Sequence, residues 1–261
     1  MKTLLEVHHA FVSYGDMEVV HDVNLSLQEG ELTALLGLNG SGKTSLIRGI
    51  CGLIPAKGSF VVNGKQVGDL KGRERARYLS YIPQVHSAIE GKTAFEIVLM
   101  GANPHLGILE TPGKAYEKKA EDAMKKLGIL SFRDRFFQEL SQGQKQLVVL
   151  ARTLVQDTPV MLMDEPDSAL DFCNRHMVME KIRETVKTEG KAGMITLHDP
   201  NFALMYCDRL LLFREGNLMD QLTVRGAQKE EIAAKLEKIY GEVELLSYSG
   251  GYLMGKRQTS L

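Results

Sequence analysis

Gly37-Leu38-Asn39-Gly40-Ser41-Gly42-Lys43-Thr44 lies between a short apolar run, residues 31–37, and a helical run, residues 43–51. The stretch matches G-x-x-x-x-G-K-[ST], and its setting, strand before and helix after, is the one in which that pattern binds phosphate. Glycine lets the backbone wrap closely around an anion and turn its N–H groups inward. The start of the following helix adds the positive end of its dipole. In such a loop, Asn39 to Thr44 would cradle phosphates, with Lys43 as a point charge, Thr44 able to ligate Mg²⁺ and Ser45 placed to bond a phosphate oxygen. A glycine turn capping a helix beside an incidental lysine is the plainer reading; the longer pattern between strand and helix favours nucleotide binding.

Outward from this loop, strand and helix patterns alternate. Residues 59–67 read as a hairpin turned by Asn63-Gly64, and residues 78–83 as a strand. From residue 86 to 157 helical periodicity takes over. Ala120, Ala123, Met124 and Leu127 fall on one helical face, and a second helix spans residues 144–155. The alternation then resumes with strands at 160–163, 192–197 and 209–213 and helices at 172–188 and 201–207. Strands apolar at every position imply a parallel sheet covered on both faces. The segment from 226 onward reads as a charged helix and a weak strand-like tail.

Composition narrows the function classes. The chain has 261 residues and a net charge of −1, so no basic excess points to nucleic acid. Cys51, Cys173 and Cys207 form no CxxC pair, which fits a reducing compartment better than a disulfide framework. Residues 1–6 lack a signal-peptide pattern, and no apolar run approaches the ~20 residues of a membrane span, so a membrane role is expected to pass through a partner.

Further motifs accompany the loop. Val160-Met161-Leu162-Met163-Asp164-Glu165 is an apolar strand ending in two carboxylates, the first suited to the Mg²⁺ shell and the second to polarising a water. Leu140-Ser141-Gln142-Gly143-Gln144 precedes the helix leading to that strand and resembles the LSGGQ signature of ABC ATPases. Gln84 resembles that family's Q-loop residue, Ser168-Ala169-Leu170-Asp171 its D-loop, His198 its switch histidine, and Tyr14 its adenine-stacking aromatic. Singly these have bland readings: a surface tyrosine, a strand cap, a core histidine, a helix N-cap at Ser141 and Gly143. Together they follow the family's order and spacing over about residues 3–225.

The resemblance implies an α/β fold: a P-loop NTPase (RecA-like) core with a mainly parallel sheet, an antiparallel β subdomain and an inserted α-helical subdomain. Its implied limits are 1–225 for the ATPase domain (core 1–85 and 158–225, helical subdomain 86–157) and 226–261 for a C-terminal extension. It implies ATP as the nucleotide, held by Tyr14, Gly37, Asn39, Gly40, Ser41, Gly42, Lys43, Thr44 and Ser45. Mg²⁺ would be held by Thr44, Gln84 and Asp164, with Glu165, His198 and Gln84 catalytic. It also implies a head-to-tail homodimer in which Ser141, Gly143 and Gln144 complete the partner's site. The dimer would work with membrane permease subunits and, indirectly, a substrate-binding protein, as a peripheral protein at the cytoplasmic face of the membrane, without nucleic acid.

Three positions depart from the family pattern: Gln142 for the first signature glycine, Asp167 for a frequent threonine, and Pro200 for a leucine after His198-Asp199. Asp167 is expected to add a third carboxylate near the site. Gly101-Ala102-Asn103-Pro104-His105-Leu106-Gly107 resembles a segment of the ATPases of metal-chelate importers, which carry iron-siderophores, haem or cobalamin. His105 lacks companions for a metal site. The alternatives are an ATPase serving another transporter substrate and a soluble non-transport ABC ATPase.

Overall fold

Val160-Met161-Leu162-Met163 has no polar side because, in the computed structural model of this protein, both faces of the strand are covered. The structure describes residues 2–84, 90–107, 109–168, 170–248 and 250–257. The chain opens with two long strands, β1 (Thr3–Tyr14) and β2 (Met17–Gln28), then β3 (Leu32–Leu36) and α1 (Lys43–Ile50). A hairpin of β4 (Ala56–Val62) and β5 (Lys65–Gln66) follows, then α2 (Gly72–Arg75) and β6 (Leu79–Ile82). The helical part holds α3 (Ala94–Leu99), α4 (Lys114–Lys126) and α5 (Gln142–Gln156). The core returns with β7 (Val160–Asp164), α6 (Phe172–Thr188), β8 (Ala192–Leu197), α7 (Pro200–Tyr206), β9 (Arg209–Arg214) and β10 (Asn217–Thr223). Last come α8 (Lys229–Tyr240) and a hairpin of β11 (Val243–Tyr248) and β12 (Gly251–Lys256).

The central sheet has six strands in the order β10-β9-β3-β8-β7-β6, parallel except for β10. A four-stranded antiparallel sheet, β2-β1-β4-β5, lies over one face. Its turn is the expected Asn63-Gly64, both at positive φ (45° and 79°). Apolar patterning singles out neither β1 nor β2. Both carry half-exposed polar faces and register shifts, including positive φ at His9 and Asp22, that blur a strict alternation.

Side chains one residue apart on a strand point to opposite faces, and this sorts the apolar strands into two cores. Leu32, Ala34, Leu36, Met161, Met163, Ile195 and Leu197 join α5, α6 and the helical part. Leu35, Val160, Leu162, Ala192 and Met194 join α1 and the antiparallel sheet. Each fully buried aliphatic side chain is worth about 1.5–3 kcal/mol at most. A polar residue in place of one of these aliphatic side chains would therefore weaken one core or the other.

Ala120, Ala123, Met124 and Leu127 are all buried, as their spacing predicts. The expected boundary at residue 86 and Ala169 of the D-loop lie outside the described residues. The Gly101 to Gly107 segment forms a short 3₁₀ stretch, Met100–His105, that ties the helical part to the core. Arg77 Nε donates to the Pro104 carbonyl at 2.7 Å, His105 Nε2 lies 2.8 Å from the Gln156 carbonyl, and Gln156 Nε2 donates to the Ala76 carbonyl at 2.7 Å. Gly101 is needed because α5 passes against it: a Cβ would lie 2.2 Å from the Arg152 carbonyl oxygen and 2.8 Å from Val155 Cβ. Gly101→Val should destabilise the fold by about 1–3 kcal/mol through this overlap. Calorimetry should show a melting temperature lower by about 2–4 °C per kcal/mol lost, with nucleotide affinity retained.

Candidate active site

Because β3, β8 and β7 are adjacent and parallel, their C-terminal ends share one edge of the sheet, where ligands bind in open α/β folds. The loop 37–42 leaves β3, Asp164 and Glu165 end β7, and His198 follows β8. A cleft of about 360 Å³ at this edge is lined by Val19, Asn39 to Ser45, Gln84, Glu165 and His198. Residues scattered through the sequence thus share one surface.

The loop is built for an anion. Gly42 adopts φ +100°, and a Cβ there would lie 2.6 Å from the Val19 carbonyl oxygen. No side chain caps α1, so its first amides are left to a ligand. Lys43 is buried, its Nζ donating to the carbonyls of Gly37 (2.9 Å) and Leu38 (3.0 Å). Burial lowers its pKa below the ordinary lysine value, with the Glu165 and Asp164 charges opposing. Ser41 Oγ is buried without a hydrogen-bond partner among the described residues, an uncommon state for a hydroxyl that a phosphate oxygen would relieve.

Opposite the loop, Asp164 Oδ1 accepts from Thr44 Oγ1 and from Thr196 Oγ1, each at 3.0 Å, and Asp164 Oδ2 lies 3.4 Å from the Tyr81 hydroxyl. Thr44 and Asp164 lie together, and with the amide oxygen of Gln84 they would offer an all-oxygen donor set. Mg²⁺ fits such a set, since it is commonly held by one or two carboxylates and substrate phosphates. Glu165 is a non-glycine residue at φ +46°, and its amide donates to Thr196 Oγ1 at 2.8 Å. Its carboxylate is held between Gln84 Nε2 at 2.5 Å and His198 Nε2 at 2.6 Å.

Tyr14 is half exposed at the end of β1, with its hydroxyl 3.3 Å from Ser45 Oγ. Ser141, Gly143 and Gln144 are not among the cleft's lining residues; they start α5. There Ser141 Oγ accepts from the Gln144 amide (3.3 Å) and Gln144 Oε1 from the Ser141 amide (3.1 Å), a capping box. The Gln144 side-chain oxygen is therefore engaged, whereas the Ser141 hydroxyl proton stays available for an anion. Asp167, expected as a third carboxylate of the site, is instead buried against Arg175, whose Nη2 and Nε lie 2.7 and 3.1 Å from Oδ2.

Thr196 is the site residue that motif reading passes over. It is fully buried in the apolar strand β8. A buried hydroxyl in such a strand needs partners, and it sits two residues before His198.

A phosphate loop facing a carboxylate-ended strand and a histidine defines a nucleoside triphosphatase. Residues 20–168 match the family described as ABC transporter. Among known proteins, a hemin import ATP-binding protein of Pseudomonas putida is 35% identical over 244 residues, 91% of this chain and 92% of that protein. A petrobactin import ATP-binding protein of Bacillus anthracis is 30% identical over 237 residues, 90% and 85% of the two chains. Among solved structures, a nucleotide-free ATP-binding cassette from an ABC transporter superposes with TM-score 0.80 at 25% identity, covering 91% of this chain and 97% of that one. A dimeric cassette in a post-hydrolysis state with ADP and inorganic phosphate gives 0.75 at 25%, covering 86% and 100%. The chain belongs to the ABC transporter family as an ATP-binding, ATP-hydrolysing subunit.

Two outcomes follow from this geometry. Thr196→Val should leave the Glu165 amide unpaired and cost about 1–3 kcal/mol of stability. Its turnover should fall more than its ATP affinity, measured by steady-state kinetics and equilibrium binding. A bound triphosphate should raise the lowered Lys43 pKa. Binding in the alkaline range should then take up protons, and affinity should fall as pH rises through the free-state pKa. Calorimetry in buffers of different ionisation enthalpy measures that uptake.

Proposed function

We propose that this chain works as a homodimer that binds two ATP molecules head to tail and drives import of a metal chelate through separate permease subunits. The observation that carries the hydrolytic part is the Glu165 carboxylate, held by Gln84 and His198 in the cleft that also contains Lys43 and Thr44. The import part is supported by relatives named for hemin and petrobactin import over most of their length.

Tyr14 stacks on adenine, and the amides of residues 39–44 with Lys43 and Ser41 bind the phosphates. Thr44, Gln84 and Asp164 would hold Mg²⁺, which would supply charge neutralisation to the phosphates. Glu165 takes the proton of the attacking water. Its two oxygens accept one bond each, from Gln84 and His198, which leaves lone pairs for the water, and the His198 contact opens when nucleotide arrives. His198 is then free to donate to the γ-phosphate. Ser141 and the first amides of α5, with Gly143 and Gln144, approach that phosphate from the partner subunit as a helix N-terminus. The subunit sits at the cytoplasmic face of the membrane, attached through the permease. Among the described residues no helix is long and apolar enough to cross a membrane. A substrate-binding protein delivers the chelate on the other side.

Glu165→Gln should keep ATP binding, lose nearly all hydrolysis and give a longer-lived dimer, read by phosphate release and gel filtration with ATP. Wild-type turnover would remove Glu165 as the base. For the cargo, the tagged chain should co-purify from native membranes with a multi-helix permease, its ATPase activity rising when a chelate-loaded binding protein is added. Recovery of ribosomes or DNA-repair factors without a membrane protein would overturn the transport reading.

A further inference from the structure

The C-terminal hairpin β11–β12 belongs to neither of the two larger sheets. Instead, β12 lies on α7, the helix that starts two residues after His198. Asn201 makes the join. Its Nδ2 donates to the Met254 carbonyl at 3.2 Å, and its Oδ1 accepts from the Met254 amide at 2.6 Å. One side chain thereby imitates a neighbouring strand. Asn201 lies in the first turn of α7, and its own amide donates to the side chain of Asp199, the N-cap residue next to His198.

The remainder of the extension frames the same helix end. Val243 and Leu245 of β11 are buried in the core that includes Phe202 and Ala203 of α7. The Tyr240 hydroxyl at the end of α8 is buried without a partner. Its pKa is pushed up to about 12, chiefly by burial and further by the Asp199 charge. From another direction, Arg175 stacks over the Phe202 ring at 4.2 Å while its guanidinium holds Asp167, two residues beyond Glu165. Helix α7 is therefore gripped from two directions, by the hairpin and by the segment that carries the base.

We propose that Asn201 is a positioning residue for hydrolysis: by latching α7 to the Met254 backbone, it makes the C-terminal hairpin set where His198 stands relative to Glu165 and the γ-phosphate. This rests on the reading of His198 given above. The Asn201 side chain meets both backbone polar groups of one residue, Met254, in the first turn of the helix that His198 leads into. A displacement of β12 along its own axis would therefore move α7 with it. The extension then acts as a lever on the switch rather than as a passive cover.

The latch can be cut from either side in the full-length chain. Asn201→Ala removes both bonds. Met254→Pro replaces the amide proton with a ring carbon at the Asn201 contact, fixes φ and removes the packed Met254 side chain, but it takes no ladder bond, since Met254 pairs with Leu245 while its N–H points away from β11 toward Asn201. Each variant should lower kcat about tenfold, less than the ~10²-fold that a 1 Å misplacement can cost, with KM for ATP within about twofold. The double variant should be no worse than the more affected single, since both cut one interaction. A melting temperature and an equilibrium affinity for ATP, measured on each variant, separate mispositioning from loss of fold. His198→Ala is the control. Wild-type turnover in that variant would overturn the reading of His198 itself. Loss in His198→Ala with wild-type kcat in Asn201→Ala and Met254→Pro would overturn the latch alone. So would a defect confined to KM, a kcat loss that follows melting temperature, or losses that multiply in the double variant.

Discussion

Asp164 Oδ1 accepts two hydrogen bonds at 3.0 Å, from Thr44 at the start of α1 and from Thr196 near the end of β8. This single oxygen joins the phosphate loop, the carboxylate strand and the strand leading to the histidine. Thr196 serves twice, since the same hydroxyl accepts from the Glu165 amide. The arrangement is possible only because Asp164 is in register with Thr196 across a parallel pair. A slip of one residue would turn every side chain of β7 to the other face. It would carry Asp164 away from the loop and exchange the two cores.

Holding charge in a partly dry site carries a cost, and the structure meets it locally. Lys43 is buried against two loop carbonyls, and its lowered pKa records that burial outweighs the attraction of Glu165 and Asp164. Glu165 meets its own burial by accepting from Gln84 and His198. Gln84, Glu165 and His198 are thus engaged with one another in the cleft.

The helical part and helix α7 meet this centre through directional contacts as well as apolar packing. The helical part is tied to the core by Arg77 on the Pro104 carbonyl and Gln156 on the Ala76 carbonyl, and it shares one buried apolar cluster with the sheet. Helix α7 is held by Asn201 on Met254 and by Arg175 on Phe202. Asp167, which as sequence looks like a further acid for the site, is neutralised by that same arginine. Its carboxylate is engaged with Arg175 rather than directed to the cleft.

Most of the fold class and the members of the cleft were legible in the residues themselves. A glycine-rich loop between strand and helix needs no distant partner to be read, because its chemistry is local: backbone amides, a lysine and a hydroxyl in fixed sequence. Strands without a polar side likewise announced a sheet covered on both faces. Several things were not legible. The strands β1 and β2 have bulged, half-polar patterns, Thr196 looks like any strand threonine, and nothing in the spacing of Asp167 and Arg175 or of Asn201 and Met254 marks them as pairs. By itself the sequence determined that this chain binds and splits ATP in the manner of its family, because that capacity lies in short contiguous motifs. Only the tertiary structure decided which hydroxyl locks the two acids, where the third carboxylate turns, and what the C-terminal hairpin grips, because those contacts depend on strand register and on segments far apart in the chain.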